Sequence, residues 1–340
     1  MSCERKVPRT FIIAEVGVNH NANLEMAHQL IDAALAAGAD AIKFQAAIPD
    51  LVATRCVRKA SYQKQGSGDD ESQLEMIRKF HFPLDVYPLL KQACERKGIK
   101  FFASAFDMTS LAFLQKLGQD LYKVPSGEIT NLPYLRTIGS YGRPVILSTG
   151  MATIKEIANA LGELELAGTK RAHITVLHCN TEYPTSMEDV NLNAMQTIAE
   201  TFDVAVGYSD HTAGIEVSIA AVALGACIIE KHLTLNCNLP GPDHKASLEP
   251  EPFRAMVGAI RNIEKALGSG VKAPSPSELP NIPIVRRSLV ASRAIRAGET
   301  FTADNVLAKR PGNGISPMCW DEVIGSAAPR DFGQDELICL

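Results

Sequence analysis

Several things are scarce or missing in this chain, and each absence excludes a class of protein. Among its 340 residues there is no basic run of five or more, and Asp and Glu (38) outnumber Lys and Arg (34), giving a net charge of −4. A phosphate backbone or an anionic membrane surface finds no electrostatic footprint here. The eight cysteines, at positions 3, 56, 94, 179, 227, 237, 319 and 339, include no CxxC pair. They read as buried or incidental thiols of a reducing cytoplasm, not as a disulfide or zinc framework. The longest uninterrupted stretch of apolar residues and glycine, Ile219 to Ile229, falls far short of the ~20 residues that span a bilayer. The opening MSCERKVPRTFIIAEVG has no segment suited to a signal peptide. No P-loop or GxGxxG is present, so a nucleotide cofactor is not indicated. No internal repeat or low-complexity tract stands out. The expectation is a soluble, cytoplasmic protein, with no nucleic acid and no membrane among its partners.

What the chain does have is alternation. With 46% apolar residues it can bury a substantial core. Eight short apolar runs read as strands: FIIAEV (11–16), AIKFQ (41–45), KFFAS (100–104), LYKVP (121–125), PVILST (144–149), HITVLHC (173–179), VAVGYS (204–209) and ACIIEKH (226–232). Between most of them lie amphipathic segments with cap signals. LEMAHQLIDAALAAG ends in a glycine suited to a helix C-terminus, and TIKE at 153–156 has the capping-box pattern. Near-continuous apolar strands separated by helices imply a parallel sheet covered on its faces. Eight such units predict a (β/α)₈ barrel, with an open doubly wound sheet as the alternative.

The connection spanning 46–99 is long and holds the polar patch QKQGSGDDESQ; it is expected to act as a lid over the barrel mouth. Residues 1–272 are assigned to the barrel, and APSPSELPNIP at 273–283, with four prolines, to a semi-rigid linker. The remainder, 284–340, has short strand signals, turn residues and little helix, and reads as a separate small domain.

In a parallel barrel, chemistry sits at the C-terminal ends of the strands. Those ends carry Glu15, Lys43, Gln45, Ser104, Lys123, Ser126, Glu128 and Ser148, then the stretch HCNTEYP, and finally His211 and His232. Each has a plain structural explanation when taken alone. A histidine beside an apolar run is more often a hydrogen-bonded structural residue than a ligand, Lys123 suits a solvated strand end, Glu128 suits a helix start, and Ser-Thr-Gly suits a turn. Eight polar ends on one rim, with charges of both signs, argue instead for one site. Adjacent strands lie ~4.8 Å apart, so the two imidazoles on neighbouring strands can face one ion while leaving coordination positions open. Such a site accepts Mn²⁺, Co²⁺ or Mg²⁺, and spacing does not choose among them. Lysines and hydroxyls on the other strands suit a phosphate.

Taken together, AEVGVNHN, AIKFQ, ESQLEM, KVPSGEITNLPYL, STGMAT, LHCNTEYPT, GYSDHT, EKH, GPDH and KRPGNGISP resemble the bacterial sialic acid synthase family over nearly the whole chain. The segment from about 284 resembles the antifreeze-like (SAF) domain of those enzymes. The resemblance implies condensation of phosphoenolpyruvate with an N-acetylated mannosamine-type sugar, N-acetylmannosamine foremost, to give N-acetylneuraminic acid and phosphate. It implies a divalent metal, preferably manganese, on His211 and His232. Lys43, Ser104, Lys123, Ser126, Ser148, Thr181 and Ser209 would surround phosphoenolpyruvate; Glu15, Gln45, Tyr183 and Asp243 would contact the sugar. Glu128 would sit in the catalytic centre and guide water. Arg310 would reach the sugar's N-acetyl group across a domain-swapped homodimer. Ser104 stands where threonine is frequent, and Thr181 where some relatives have asparagine.

Legionaminic acid synthesis from a 2,4-diacetamido-trideoxymannose, or pseudaminic acid synthesis, fits the same motifs. Two readings lie outside the family: a Schiff-base aldolase acting through Lys43 or Lys123, and a carbohydrate- or ice-binding protein with a dead barrel.

Overall fold

Apolar runs that alternate with capped helices fold as their spacing predicts. The computed structural model describes residues 9–59 and 72–340, so most of the QKQGSGDDESQ patch lies outside the described residues. Strands β1 (Phe11–Gly17), β2 (Ala41–Ala46), β3 (Lys100–Ala105), β4 (Tyr122–Val124), β5 (Val145–Ser148), β6 (Ile174–Cys179), β7 (Ala205–Asp210) and β8 (Ile228–His232) form one parallel sheet. They run in the order β3-β2-β1-β8-β7-β6-β5-β4, a nearly closed eight-stranded barrel.

The helices begin and end where their caps dictate. In α1 (Leu24–Ala37), the Asn23 side chain accepts from the Met26 amide at 3.0 Å, and Gly38 closes the helix at φ 87°. That left-handed angle favours glycine because it has no Cβ to clash. The long β2–β3 connection contributes α2 (Pro49–Val52), α3 (Gln73–Phe80) and α4 (Tyr87–Lys97). Further round come α5 (Met108–Lys116), α6 (Leu132–Ser140) and α7 (Ile154–Ala167), where Thr153 and Glu156 form the capping box read in TIKE. Helices α8 (Asn193–Phe202), α9 (Glu216–Ala223) and α10 (Pro250–Ala266) complete the outer layer. None of the described helices is long and apolar enough to cross a membrane.

The barrel interior is layered at intervals of two residues, the period of side chains that share a strand face. Ile13, Ala41, Phe102, Ile146, Leu177 and Ile228 form an apolar cluster. Two residues further along the same strands stand Glu15, Lys43, Ser104, Ser148, Cys179 and Glu230. The inward face therefore changes from apolar to polar in one step, and the polar layer rests on a dry plug.

One place in the ladder is closed by side chains. β3 and β4 pack side by side without a backbone ladder between them. Gln119 substitutes for a strand partner: its Oε1 accepts from the Ala103 amide at 2.8 Å and its Nε2 donates to the Ala103 carbonyl at 3.0 Å. The Tyr134 hydroxyl donates to the Ala105 carbonyl at 2.8 Å, beside the Lys123 carbonyl at 3.5 Å.

The chain divides into two compact units that meet at Ser269 and Gly270. The second unit includes the proline-rich stretch, which forms a 3₁₀ turn (Leu279–Asn281) and α11 (Ile282–Val285) with prolines in their first turns. It continues with an antiparallel pair, β9 (Ser288–Ala291) and β10 (Val306–Lys309), and then α12 (Trp320–Val323). Its own core gathers Leu289, Ile295, Phe301, Val306, Phe332 and Ile338.

Candidate active site

The polar layer is an ion network. Glu15 and Lys43 are register partners on β1 and β2, and the Lys43 Nζ lies 2.8 Å from Glu15 Oε2. The same Nζ is 3.4 Å from Glu230 Oε1 and donates to Ser104 Oγ at 3.3 Å. Lys123, from β4, donates to both oxygens of Glu230, at 2.8 and 2.7 Å. Ser209 donates to Glu230 at 3.1 Å, and Gln45 Nε2 donates to Glu15 at 2.9 Å. None of the four charged residues is more than 5% exposed. The backbone makes room for them at Gly17, where a Cβ would meet Glu15 Oε1 at 2.6 Å and Gln45 Nε2 at 2.7 Å.

The two carboxyls differ in character. Burial pushes Glu230 up, but Lys123 and Lys43 outweigh it and hold the carboxylate far below the usual range. For Glu15 burial prevails over the attraction of Lys43, so its carboxyl stands above the ordinary value. The lysines divide likewise. Burial weakens the Lys43 ammonium, yet Glu15 and Glu230 raise it above the usual lysine value; for Lys123 burial prevails over Glu230 and lowers it.

One step nearer the mouth come the imidazoles, with ring centroids 5.5 Å apart. His211 Nδ1 faces the Asn180 carbonyl, which can only accept, so that nitrogen carries the proton and Nε2 presents its lone pair. The hydroxyls of Tyr183 and Ser209 lie 3.0 and 3.3 Å from this Nε2, and the Tyr183 ring stacks on the imidazole at 4.0 Å. His232 Nδ1 is buried without a hydrogen-bond partner, 3.8 Å from Asp243 Oδ2. Burial, before any charge, holds His211 down at about 4 and His232 well below the usual histidine value. It also raises Asp243 to about 7.

These features suit a cation. Neutral imidazole is the ligating form, a backbone carbonyl fixes the His211 ring as ligating histidines usually require, and His232 offers an unused buried nitrogen. Among the described residues no group of three or more His, Cys, Asp or Glu side chains is arranged to hold a metal. The chain's share would be two imidazoles, with other positions left to water or substrate oxygen.

A cavity of about 410 Å³ opens above this floor. Glu15, Lys43, Gln45, Lys123, Ser126 and Ser148 line it from the first strands; Thr181, Tyr183, Ser209, His211, His232 and Asp243 line it from the later ones. Ser104 lies just below, engaged by Lys43. Glu128 is not among the lining residues: it ends the turn Ser126–Glu128, and its carboxylate accepts from Asn131 Nδ2 at 2.6 Å. Arg310 belongs to the second unit, where its side chain is exposed and its Nε donates to the Val285 carbonyl at 3.1 Å.

One charged residue of the site is absent from the sequence-based set. Glu230, the carboxylate shared by both lysines, precedes His232 by two residues, a spacing that would have placed it on the same inward face. From the 46–99 connection, expected at the barrel mouth, one face of α3 lines the cavity with Gln73, Met76, Ile77 and Phe80, residues not named singly from the sequence.

A parallel barrel with buried ion pairs and paired imidazoles at the C-terminal ends of its strands has the form of a barrel enzyme. Residues 30–272 match the NeuB family, and residues 286–339 match the SAF domain. The chain belongs to the NeuB family, and its barrel is that of a synthase. It is 49% identical, over 97% of its length and 99% of the relative's, to the N,N'-diacetyllegionaminic acid synthase of Campylobacter jejuni. The enzyme of the same name from Legionella pneumophila is 43% identical, over 93% of this chain and 89% of its own. Among solved structures, an N-acetylneuraminic acid synthetase from Leptospira borgpetersenii, in complex with citrate, matches with a TM-score of 0.70 and 35% identity, covering 81% of this chain and 90% of that one.

Proposed function

We propose that the barrel condenses phosphoenolpyruvate with the open-chain aldehyde of an N-acylated mannosamine-type sugar, releasing phosphate and forming a nine-carbon acid of the sialic acid kind. The observation that carries this reading is the buried quartet of Glu15, Lys43, Lys123 and Glu230 beside the paired imidazoles in one cavity. It sets cations for phosphate and carboxylate next to a place where a carbonyl can be polarised. N-acetylmannosamine is the sugar that the motifs alone place first. The two legionaminic acid synthases among the relatives favour a 2,4-diacetamido-2,4,6-trideoxymannose instead.

In this reading Lys43 and Lys123 pair with the anionic groups of phosphoenolpyruvate, and the hydroxyls of Ser126, Ser148, Thr181 and Ser209 donate to them. Glu15, Gln45, Tyr183 and Asp243 orient the sugar. A divalent cation on His211 and His232, manganese by preference, would supply Lewis acidity to the aldehyde oxygen. The methylene carbon of phosphoenolpyruvate forms the new bond to the aldehyde carbon, whose carbonyl pair becomes a hydroxyl on taking up a proton. Water adds to C2 and loses one proton, matching the one taken up by the aldehyde oxygen; the C2–O bond to phosphate then breaks, phosphate leaves with the bonding pair and the C2 hydroxyl proton, and the keto acid remains. Glu15, held above the ordinary carboxyl range inside the cavity, is better placed to move a proton than Glu128, whose carboxylate Asn131 engages beside the cavity. Arg310 is assigned to the sugar's acyl group across a domain-swapped homodimer, a role supported by the SAF match over 286–339.

The test is phosphate release from phosphoenolpyruvate with a panel of hexosamines. Release is expected only with mannosamine-type sugars, lost on chelation and restored by Mn²⁺, with Mg²⁺ and Co²⁺ as further arms. In the same assay Arg310→Ala should raise KM for the sugar about tenfold and leave KM for phosphoenolpyruvate nearly unchanged. Full turnover after chelation, or covalent trapping of Lys43 or Lys123 by borohydride, would overturn the proposal.

A further inference from the structure

The ionic floor leaves one side of the cavity unexplained. There the lining is apolar, and it comes from the β2–β3 connection together with the loops after β1 and β3. Met76, Ile77 and Phe80 of α3 line it together with Val18, Val52 and Phe106. Val18, Met76 and Phe80 form a small cluster separate from the main core, each no more than 6% exposed. The helix that carries the wall is fixed in place. Ser72 and Glu75 close its N-terminus with a reciprocal capping box, the Gln73 amide donates to the Val57 carbonyl at 3.2 Å, and Arg78 pairs with Asp50 of α2.

We infer that this wall is the specificity surface for the sugar's tail, and that it selects a 6-deoxy sugar bearing a second acylamino group over a fully hydroxylated one. The inference rests on the condensation reading above and deepens it. Chemistry at the aldehyde holds that end of the sugar beside the imidazoles and the ion quartet. The rest of the chain then extends away from the strand ends, where the lining turns apolar. A C6 hydroxyl pressed against Met76 and Phe80 loses its water and gains no partner, whereas a C6 methyl gains apolar contact. Of the residues that α3 presents to the cavity, Gln73 alone is polar, and its amide offers both a donor and an acceptor to an acylamino group. His81, just beyond the helix, already has its Nδ1 engaged with the Ile77 carbonyl at 3.0 Å. A hydrophobic wall rejects an added hydroxyl only moderately, by about 10–100-fold, so both sugars remain substrates at measurable rates.

The experiment measures kcat/KM for 2,4-diacetamido-2,4,6-trideoxymannose and for N-acetylmannosamine with the full-length protein, its Met76→Gln variant and its Ile77→Thr variant. Met76→Gln nearly preserves volume and Ile77→Thr shortens the side chain by one heavy atom; both introduce a polar group at the wall, and far-UV circular dichroism checks that each variant folds. The wild type is expected to prefer the diacetamido sugar by about 10–100-fold, and either variant to shrink that ratio by about fivefold or more. KM for phosphoenolpyruvate should stay within about twofold, because the ion quartet is untouched. A wild type that prefers N-acetylmannosamine, or a ratio that neither variant moves, overturns the specificity role and leaves the condensation reading standing. Absence of phosphate release with every sugar overturns both.

Discussion

Glu230 shows what a single side chain contributes when two cations depend on it. Both of its oxygens accept from Lys123 and one lies within reach of Lys43, so replacing it by a neutral amide strips Lys123 of its carboxylate partner where little of either side chain is exposed. Lys43 keeps Glu15. Glu230→Gln is therefore expected to lower kcat/KM by about 10²–10³-fold while the barrel still folds, because a buried ammonium without its counter-charge sheds its proton and its grip on phosphate. Steady-state kinetics with far-UV circular dichroism checks this; an unchanged kcat/KM would show that the lysines act without it. The residue was hidden in the sequence for a physical reason. Apolar run and motif direct the eye to the last polar residue of a strand, His232, whereas the inward face recurs every second residue, and counting back from His232 reaches Glu230. Glu128 follows a strand and has the right charge, but its backbone has already turned into the Ser126–Glu128 helix turn and Asn131 holds its carboxylate, a placement that strand-end counting does not reveal.

Elements were more legible than single residues because they are written in many positions at once. Eight apolar runs at barrel spacing are eight strands, Asn23 and Gly38 bound α1, and Thr153 with Glu156 starts α7. Pro125 trims β4 to three residues, since a proline has no amide to continue the ladder. What the pattern does not reveal is how β3 meets β4. Gln119 sits outside any strand, and its amide becomes a ladder partner only once the chain has closed. Gln119→Ala leaves both backbone groups of Ala103 unpaired in a buried seam and should cost about 2–4 kcal/mol of unfolding free energy, measured by urea titration. A loss under about 0.5 kcal/mol would mean that water or a backbone shift replaces the amide. The 46–99 connection is expected over the barrel mouth, but which of its side chains line the cavity is not legible: QLEMIRKF is an ordinary amphipathic helix, and only tertiary placement turns its apolar face towards a cavity instead of a core.

For the whole molecule, acid sensitivity follows from imidazoles buried away from the ion pairs. Burial, chiefly, lowers His20 to about 3 and His81 and His244 to about 4. His20 stacks on Phe82 at 4.2 Å, and His244 lies 2.6 Å from the Thr234 hydroxyl, so neither has room for a hydrated charge. Below the unfolded value of 6.5 the unfolded chain takes up protons that the folded chain refuses, so stability rises with pH through this window. The contribution is complete above about 6.5 and is lost as pH falls towards 4, at up to about 1.4 kcal/mol per pH unit for each imidazole. Urea unfolding between pH 4 and 8 should show this slope, and His244→Gln should make it shallower; a flat profile would remove the histidines from the account. The plug beneath the polar layer has a consequence of another kind. At rest, two ammonium groups and two carboxylates cancel above a greasy floor that can neither move nor lend charge. A guest bearing phosphate and carboxyl groups thus finds no spare positive charge among these four groups, and its entry is matched by charge from elsewhere, either a proton settling on Glu15 or a cation held at the imidazoles. Filling the chamber and neutralising it are one event.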